Sequence, residues 1–201
     1  MTTHRIITHL LLPLAMLHVL SGCIAVATTA ATETGVVIAQ ERSVGNAVDD
    51  AGILAQLKHL YLQKDVNDLF ANVLVKVVEG RVLLTGNVDK IDTQVEAVRL
   101  AWTVSGVREV INEIQINDKT GLLNYAEDVW ISTQIRGTLL VTKGIRSVNY
   151  SIITVNQHVY IMGIAQDNAE LDKVTNIAAS TSGVQQVTSY VRLKSDPNRP
   201  W

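Results

Sequence analysis

The sequence predicts an α+β protein built from two tandem copies of one small αββαβ unit. In each unit a three-stranded mixed sheet is covered by two helices. Two observations carry this. First, the chain repeats itself: Val82-Leu83-Leu84-Thr85-Gly86 matches Val159-Tyr160-Ile161-Met162-Gly163, and Ser105-Gly106-Val107 matches Ser182-Gly183-Val184. Val110, Ile114 and Ile116 likewise match Val187, Val191 and Leu193, and every pair stands at one constant offset. A register kept over so many positions marks a duplicated unit. Second, hydrophobic spacing alternates between helical and strand periods in the same order within each copy.

In copy one, Ile53, Leu57 and Leu60 recur at helical spacing. Val73, Val75 and Val77 alternate as a strand, which turns at Glu79-Gly80 and returns from Arg81 to Gly86. Ile91, Val95, Val98 and Trp102 mark the second helix, with Asp89 as its cap and Gly106 beyond its end. A strand from about Arg108 to Ile116 closes the unit. In copy two, Ile131, Ile135 and Leu139 face the core from the first helix, and Tyr150, Ile152 and Thr154 alternate in the next strand. His158 to Gly163 returns. Asp167 caps the second helix with Glu170 as its capping-box partner, and Val184 to Lys194 closes the sheet. Ile53 and Leu57 stand one residue farther from Ile131 and Ile135 than the other pairs do. The loop after the first helix therefore gains or loses one residue. Units of this size bury a modest core, so the copies are expected to lean on one another, through Trp102 or Tyr125.

The expected boundaries are 48–117 for the first unit, 118–125 for a linker, 126–195 for the second and 196–201 for an irregular tail. Residues 23–47, rich in Ala, Thr and Val, are expected to form a flexible tether. Residues 1–22 have the makeup of a leader. His4, Arg5 and His9 precede the apolar run Leu10 to Leu20, which is shorter than the roughly 20 residues of a spanning helix. Then comes Leu20-Ser21-Gly22-Cys23, which resembles the lipobox of bacterial lipoproteins. The resemblance implies cleavage before Cys23 and a diacylglyceryl thioether on its thiol. The alternative is an ordinary leader or a short membrane anchor with a chance Cys. Cys23 is the single cysteine, so no disulfide competes for it. Two or three acyl chains hold a protein at a bilayer where one does not. Ile24, rather than Asp, follows the Cys, and by the familiar sorting rule this favours the outer membrane.

A net charge of −2 removes any global attraction to nucleic acid. His59 and His158 lie in different copies with no second ligand nearby, so no metal is expected. No GxSxG, Walker or HExxH pattern occurs. Asp49-Asp50 and Glu127-Asp128 read as helix-start carboxylates, and Asp65 and Asp68 as solvated. No enzyme activity, small-molecule substrate or cofactor is expected, apart from the covalent lipid on Cys23.

The strands ending in Gly86 and Gly163, the second helices and the two Ser-Gly-Val steps resemble the BON domain, over nearly all of residues 48–195. With the lipobox and tether, the chain is similar to dual-BON outer-membrane lipoproteins. The resemblance implies a lipid-anchored protein on the periplasmic face of the outer membrane that supports membrane integrity. It also implies that the first helix of the second domain binds anionic phospholipid.

The residues of that helix bear on this reading. At about 100° per residue, with Ile131 at 0°, the core face lies near 40° and Trp130 falls at about 260°. Gly137, Val141 and Gln134 lie within about 40° of Trp130. Val129 and Leu140 also face away from the core. An outward Trp among aliphatic side chains suits a membrane interface. From Val129 to Tyr150 the charges are Arg136, Lys143 and Arg146, with no acid. Each basic charge contributes on the order of 1 kcal/mol near an anionic bilayer. The expected phospholipid-binding set is therefore Trp130, Gln134, Arg136, Gly137, Val141, Lys143 and Arg146. Gly52 holds the place of Trp130 in copy one, so membrane contact is expected of copy two. In the other reading, Trp130 packs beneath the neighbouring domain or the tail. The competing functions are a periplasmic adaptor that docks on an envelope assembly protein or peptidoglycan, and a holdase-like stress protein.

Overall fold

The computed structural model describes residues 41–117 and 122–199. The leader, Cys23, most of the tether, linker residues 118–121 and Trp201 lie outside them. Each copy adopts the expected order. Copy one has α1 (Val44–Lys64), β1 (Val73–Val78), β2 (Arg81–Val88), α2 (Ile91–Thr103) and β3 (Glu109–Ile116). Copy two has α3 (Leu122–Val141), β4 (Tyr150–Val155), β5 (His158–Ala165), α4 (Asn168–Ser180) and β6 (Gln186–Leu193). In each sheet the first two strands pair antiparallel as a hairpin. The third pairs parallel to the second after crossing over through a helix.

Helix α1 starts within the stretch expected as tether. The Ser43 hydroxyl caps it, accepting from the Asn46 N–H at 3.1 Å, a contact that stabilises a helix by about 1 kcal/mol. Its buried face carries Ala47, Asp50, Ile53, Leu57 and Tyr61. The Tyr61 hydroxyl satisfies itself on the Ala97 carbonyl at 2.9 Å. The one-residue difference between the copies falls after the first helix. Copy one makes a wide π-turn at Val66–Phe70, and copy two a tight 3-10 turn at Ser147–Asn149. Asp65 caps the π-turn, accepting from the Asn67 and Asp68 N–H groups at 2.9 Å each, so it is more than a solvated charge.

Asp167 caps α4, accepting from the Glu170 N–H at 2.8 Å. The Glu170 carboxylate reaches the Gln166 and Arg146 amides rather than that of Asp167 itself. Asp89 does not cap α2. The cap position is Lys90, whose side chain makes no capping bond. The core face of α2 also differs from the expected one. Ala97, Leu100 and Ala101 are buried, whereas Ile91, Val95 and Trp102 are exposed. Small Ala side chains let this helix lie close to the sheet, so the bulkier stripe turns to solvent.

Gly86 and Gly163 do not end their strands, which run two residues further to Val88 and Ala165, and their place within β2 and β5 has a steric cause. Gly86 has φ +118, and a Cβ there would lie 2.0 Å from the Asn72 carbonyl oxygen. At Gly163 the distance to the Asn149 oxygen would be 2.1 Å. Only glycine lets the incoming chain pass so close.

The two copies meet sheet to sheet. Val78 and Leu83 of copy one bury against Val155, Tyr160, Met162 and Ile164 of copy two. Trp102 and Tyr125, expected at this contact, are 54% and 71% exposed. The reason lies mainly in β5, whose Tyr160, Met162 and Ile164 form a second apolar face opposite Val159, Ile161 and Ala165, and β2 adds Leu83. Helices cover one face, and the other must be covered by something else. Polar contacts seal the rim. Tyr190 donates to Glu113, Arg81 donates to the Tyr190 carbonyl at 2.8 Å, and Arg192 pairs with Glu109 at 3.1 Å. The architecture is thus helices, sheet, sheet, helices.

Candidate membrane-binding site

Helix α3 buries Ile131, Ile135 and Leu139 completely and turns its opposite side outward. Trp130 is 62% exposed and Val141 78% on this outer crest, and Leu140 and Val129 are exposed beside it, toward the flank that carries Arg136. A Cβ at Gly137 would meet nothing within 4 Å, so the crest has open space at its middle. Gln134, on the same side, is half-buried. The described residues include nothing that covers Trp130. Trp130 and Val141 lie on one line of the helix about three turns apart, with Gln134 and Gly137 between them, and this outer side exposes more large apolar surface than the single scattered residues that need no explanation.

The three cations are not gathered around Trp130. Arg136 lies about 120° away on the helix. Its guanidinium donates to the Ile152 carbonyl on the unpaired edge of β4. At the matching position of α1, Lys58 donates to the Val73 carbonyl on the unpaired edge of β1, at 3.1 Å. In both copies a first-helix cation thus occupies a carbonyl of a free strand edge, a means of blunting edge-to-edge pairing. Arg146 forms an ion pair with Glu41. Lys143 is exposed and makes no ion pair among the described residues. Trp130, Gln134, Gly137, Val141 and Lys143 therefore remain open on this outer side, while Arg146 is held by Glu41 and Arg136, with one N–H on the Ile152 carbonyl, turns to the other flank of the helix.

Glu41 went unnoticed in the sequence. Its carboxylate also pairs with Lys194 at 2.7 Å, and its N–H donates to Asn149 Oδ1 at 3.0 Å. The chain thereby enters the folded part against copy two. Residues more than 100 apart give no local signal of such a contact. Leu140 did carry a signal, since the helical wheel turns it outward.

Among the described residues no group of His, Cys, Asp and Glu could hold a metal ion, and no helix is long and apolar enough to cross a membrane. His158 stacks on Tyr160 at 4.1 Å and bonds Thr188 Oγ1 through Nε2 at 2.8 Å. This is a structural arrangement. Asp50 and Asp128 are likewise committed to their hairpin turns.

The chain is 47% identical over 148 residues to a protein of Anaplasma centrale described as "Uncharacterized protein in gshII 5'region". That match covers 73% of this chain and 96% of the relative. It is 29% identical to the outer membrane lipoprotein DolP of Haemophilus influenzae, covering 84% of this chain and 86% of that one. It is also 29% identical to the osmotically-inducible protein Y of Escherichia coli K12, covering 75% and 76%. The BON domain model matches residues 49–118 and again 127–195, and each match covers one αββαβ unit from within its first helix to the end of its last strand. The chain belongs to the BON-domain family and carries two BON domains in tandem.

Proposed function

We propose that this chain is a lipoprotein anchored through Cys23 to the periplasmic face of the outer membrane. Its second BON domain binds anionic phospholipid and supports membrane integrity. The observation that carries this reading is the outward crest of α3, where Trp130, Leu140 and Val141 stand exposed together. Burying a large apolar side chain contributes roughly 1.5–3 kcal/mol, so a few such residues bind a surface weakly. A lipid anchor raises their effective concentration there. The chain enters the fold beside Arg146 and Lys194 of the same domain. The residues between Cys23 and Glu41 reach at most about 60 Å, which keeps the crest close to the anchored bilayer. Lys143 supplies a positive charge near the end of the crest. The name of one relative, an outer membrane lipoprotein, agrees with an envelope role.

Flotation of the chain from Ile24 onward on neutral and anionic liposomes tests the reading. Selective binding to anionic vesicles, lost in Trp130→Glu, supports it. Equal flotation of both proteins would show that the crest is not the contact.

One observation favours the adaptor reading instead. The stripe Ile91, Val95, Val98 and Trp102 on α2 has Asn168, Asp172, Thr175 and Ala179 as its counterparts on α4. The stripe lies on the side of the molecule opposite α3. A protein partner docked there would be lost in Trp102→Ala and retained in Trp130→Glu.

A further inference from the structure

A cleft of about 800 Å³ lies between the two domains, flanked by the unpaired edges of β1 and β4 and by the first turns of α3. Its volume falls within the roughly 300–1,000 Å³ typical of ligand pockets. It opens on the flank of α3 away from Trp130. The BON resemblance, the crest and the interdomain packing leave it unexplained.

Two features define what it can hold. The first is charge. Lys58, Lys76 and Arg136 all line it, and none has a carboxylate within ion-pair distance among the described residues. The one acid in the lining, Asp128, spends both oxygens on the Asn156 and Gln157 amides at 2.8 Å each. Lys76 is half-buried on the inter-sheet side of β1. Burial, reinforced by the positive charges of Arg42 and Arg136 and opposed by Asp50, lowers its pKa. An anion in the cleft would relieve that repulsion. The second feature is the apolar wall formed by Leu74, Tyr125, Val129 and Ile153. On the far side Asn87 is buried, and its Oδ1 lacks a hydrogen-bond partner. It can accept from a protonated phosphate or from a hydroxyl on the head group.

We infer that the interdomain cleft binds an anionic amphiphile: a single acyl chain against Leu74, Val129 and Ile153, with its phosphate or carboxylate head between Lys58, Lys76 and Arg136. An added peptide strand is the less suitable occupant, because Lys58 and Arg136 already hold carbonyls on both free edges. The inference is independent of the crest on α3.

Isothermal titration of the chain from Ile24 onward tests it, with dodecyl phosphate and dodecanoate below their micelle-forming concentrations. Inorganic phosphate and dodecyl maltoside serve as the head-only and uncharged-head controls. Binding of either anionic amphiphile at 1:1, with amide shifts at Leu74 to Lys76 and Ser151 to Ile153 in NMR spectra, is expected. Lys76→Glu should weaken it by at least about tenfold through charge reversal. Leu74→Trp, at an exposed position on the wall, should weaken it by filling space. Trp130→Glu should leave the titration unchanged, which separates this site from the crest. Equal binding of inorganic phosphate or dodecyl maltoside, or no binding by any of the four, would overturn the inference. So would saturation by a short extended peptide that displaces the amphiphile while Lys76→Glu has no effect.

Discussion

Asp50 and Asp128 hold the same place in the two domains, and each accepts both N–H groups of its own hairpin turn. Asp50 takes Glu79 and Gly80, and Asp128 takes Asn156 and Gln157, with all four bonds at 2.8 Å. Both turns need positive φ at their two central residues: 55° and 75° in the first, 49° and 64° in the second. This is the backbone of a tight hairpin turn. Glu79, Asn156 and Gln157 are not glycine, so their unfavourable conformation is held by the carboxylate beneath. The first helix and the hairpin of each domain are thereby joined at one point.

Replacing that carboxylate should therefore loosen a whole domain. Asp128→Ala loses two charge-assisted hydrogen bonds and should cost roughly 2–3 kcal/mol. Asp50→Ala should cost more, because Asp50 is 3% exposed and also binds Arg42 at 2.8 Å. Urea unfolding of both variants checks the order.

Two glycines should answer oppositely to the same substitution. Gly86→Ala drives a Cβ into the Asn72 carbonyl and should cost more than about 4 kcal/mol or prevent folding. Gly137→Ala fills open space inside a helix and should stabilise the protein by about 1 kcal/mol. Thermal melts of the pair decide this.

His158 should remain neutral to a lower pH than a free histidine. Burial lowers its pKa, and the opposing effect of Glu113 is smaller. The unfolded chain takes up this proton more readily than the folded one. The residue's contribution is therefore complete above about pH 6.5 and is lost as the pH falls through the folded pKa. An NMR titration of the imidazole should give a midpoint below about 6.5. A midpoint at or above that value would contradict the packing described for His158 and Tyr160.

The C-terminal segment acts as a clasp. Arg199 pairs with Glu79 at 2.8 Å, and both side chains are almost fully buried. Arg199 also donates to the Glu41 carbonyl at 2.7 Å. Breaking a buried pair costs roughly 3–5 kcal/mol, so Arg199→Ala should lower the urea midpoint strongly. Adding Glu79→Gln should cause little further loss.

The sequence showed some of these features plainly and others not at all. The repeat carried the duplicated fold, because Gly86, Gly163, Gly106 and Gly183 are steric requirements of one backbone and so recur at one spacing. Helix α3 was legible because Ile131, Ile135 and Leu139 are large and regularly placed. Helix α2 was misread for the same reason. Ile91, Val95 and Trp102 outweigh Ala97 and Ala101 in any hydrophobic pattern, although the alanines lie against the sheet. The apolar run Val159 to Ala165 in β5 does announce burial on both faces, and it points to the sheet-to-sheet contact better than Trp102 and Tyr125 do; β2, with Arg81, Thr85 and Asn87 on that side, gives no such signal. The partners of Arg136 and Arg146 were invisible. A +3 segment is a property of composition, whereas the Ile152 carbonyl and the Glu41 carboxylate reach those cations only through the tertiary fold.

The most direct test of the membrane reading places Trp130 in the bilayer by fluorescence. With Trp102 and Trp201 replaced by Phe, Trp130 is the remaining tryptophan. Its emission should shift to the blue on anionic vesicles, and lipids brominated at shallow acyl positions should quench it more than lipids brominated near the bilayer centre. Neutral vesicles should produce little change. An emission spectrum that stays at the position of a water-exposed indole on anionic vesicles would contradict insertion of the α3 crest.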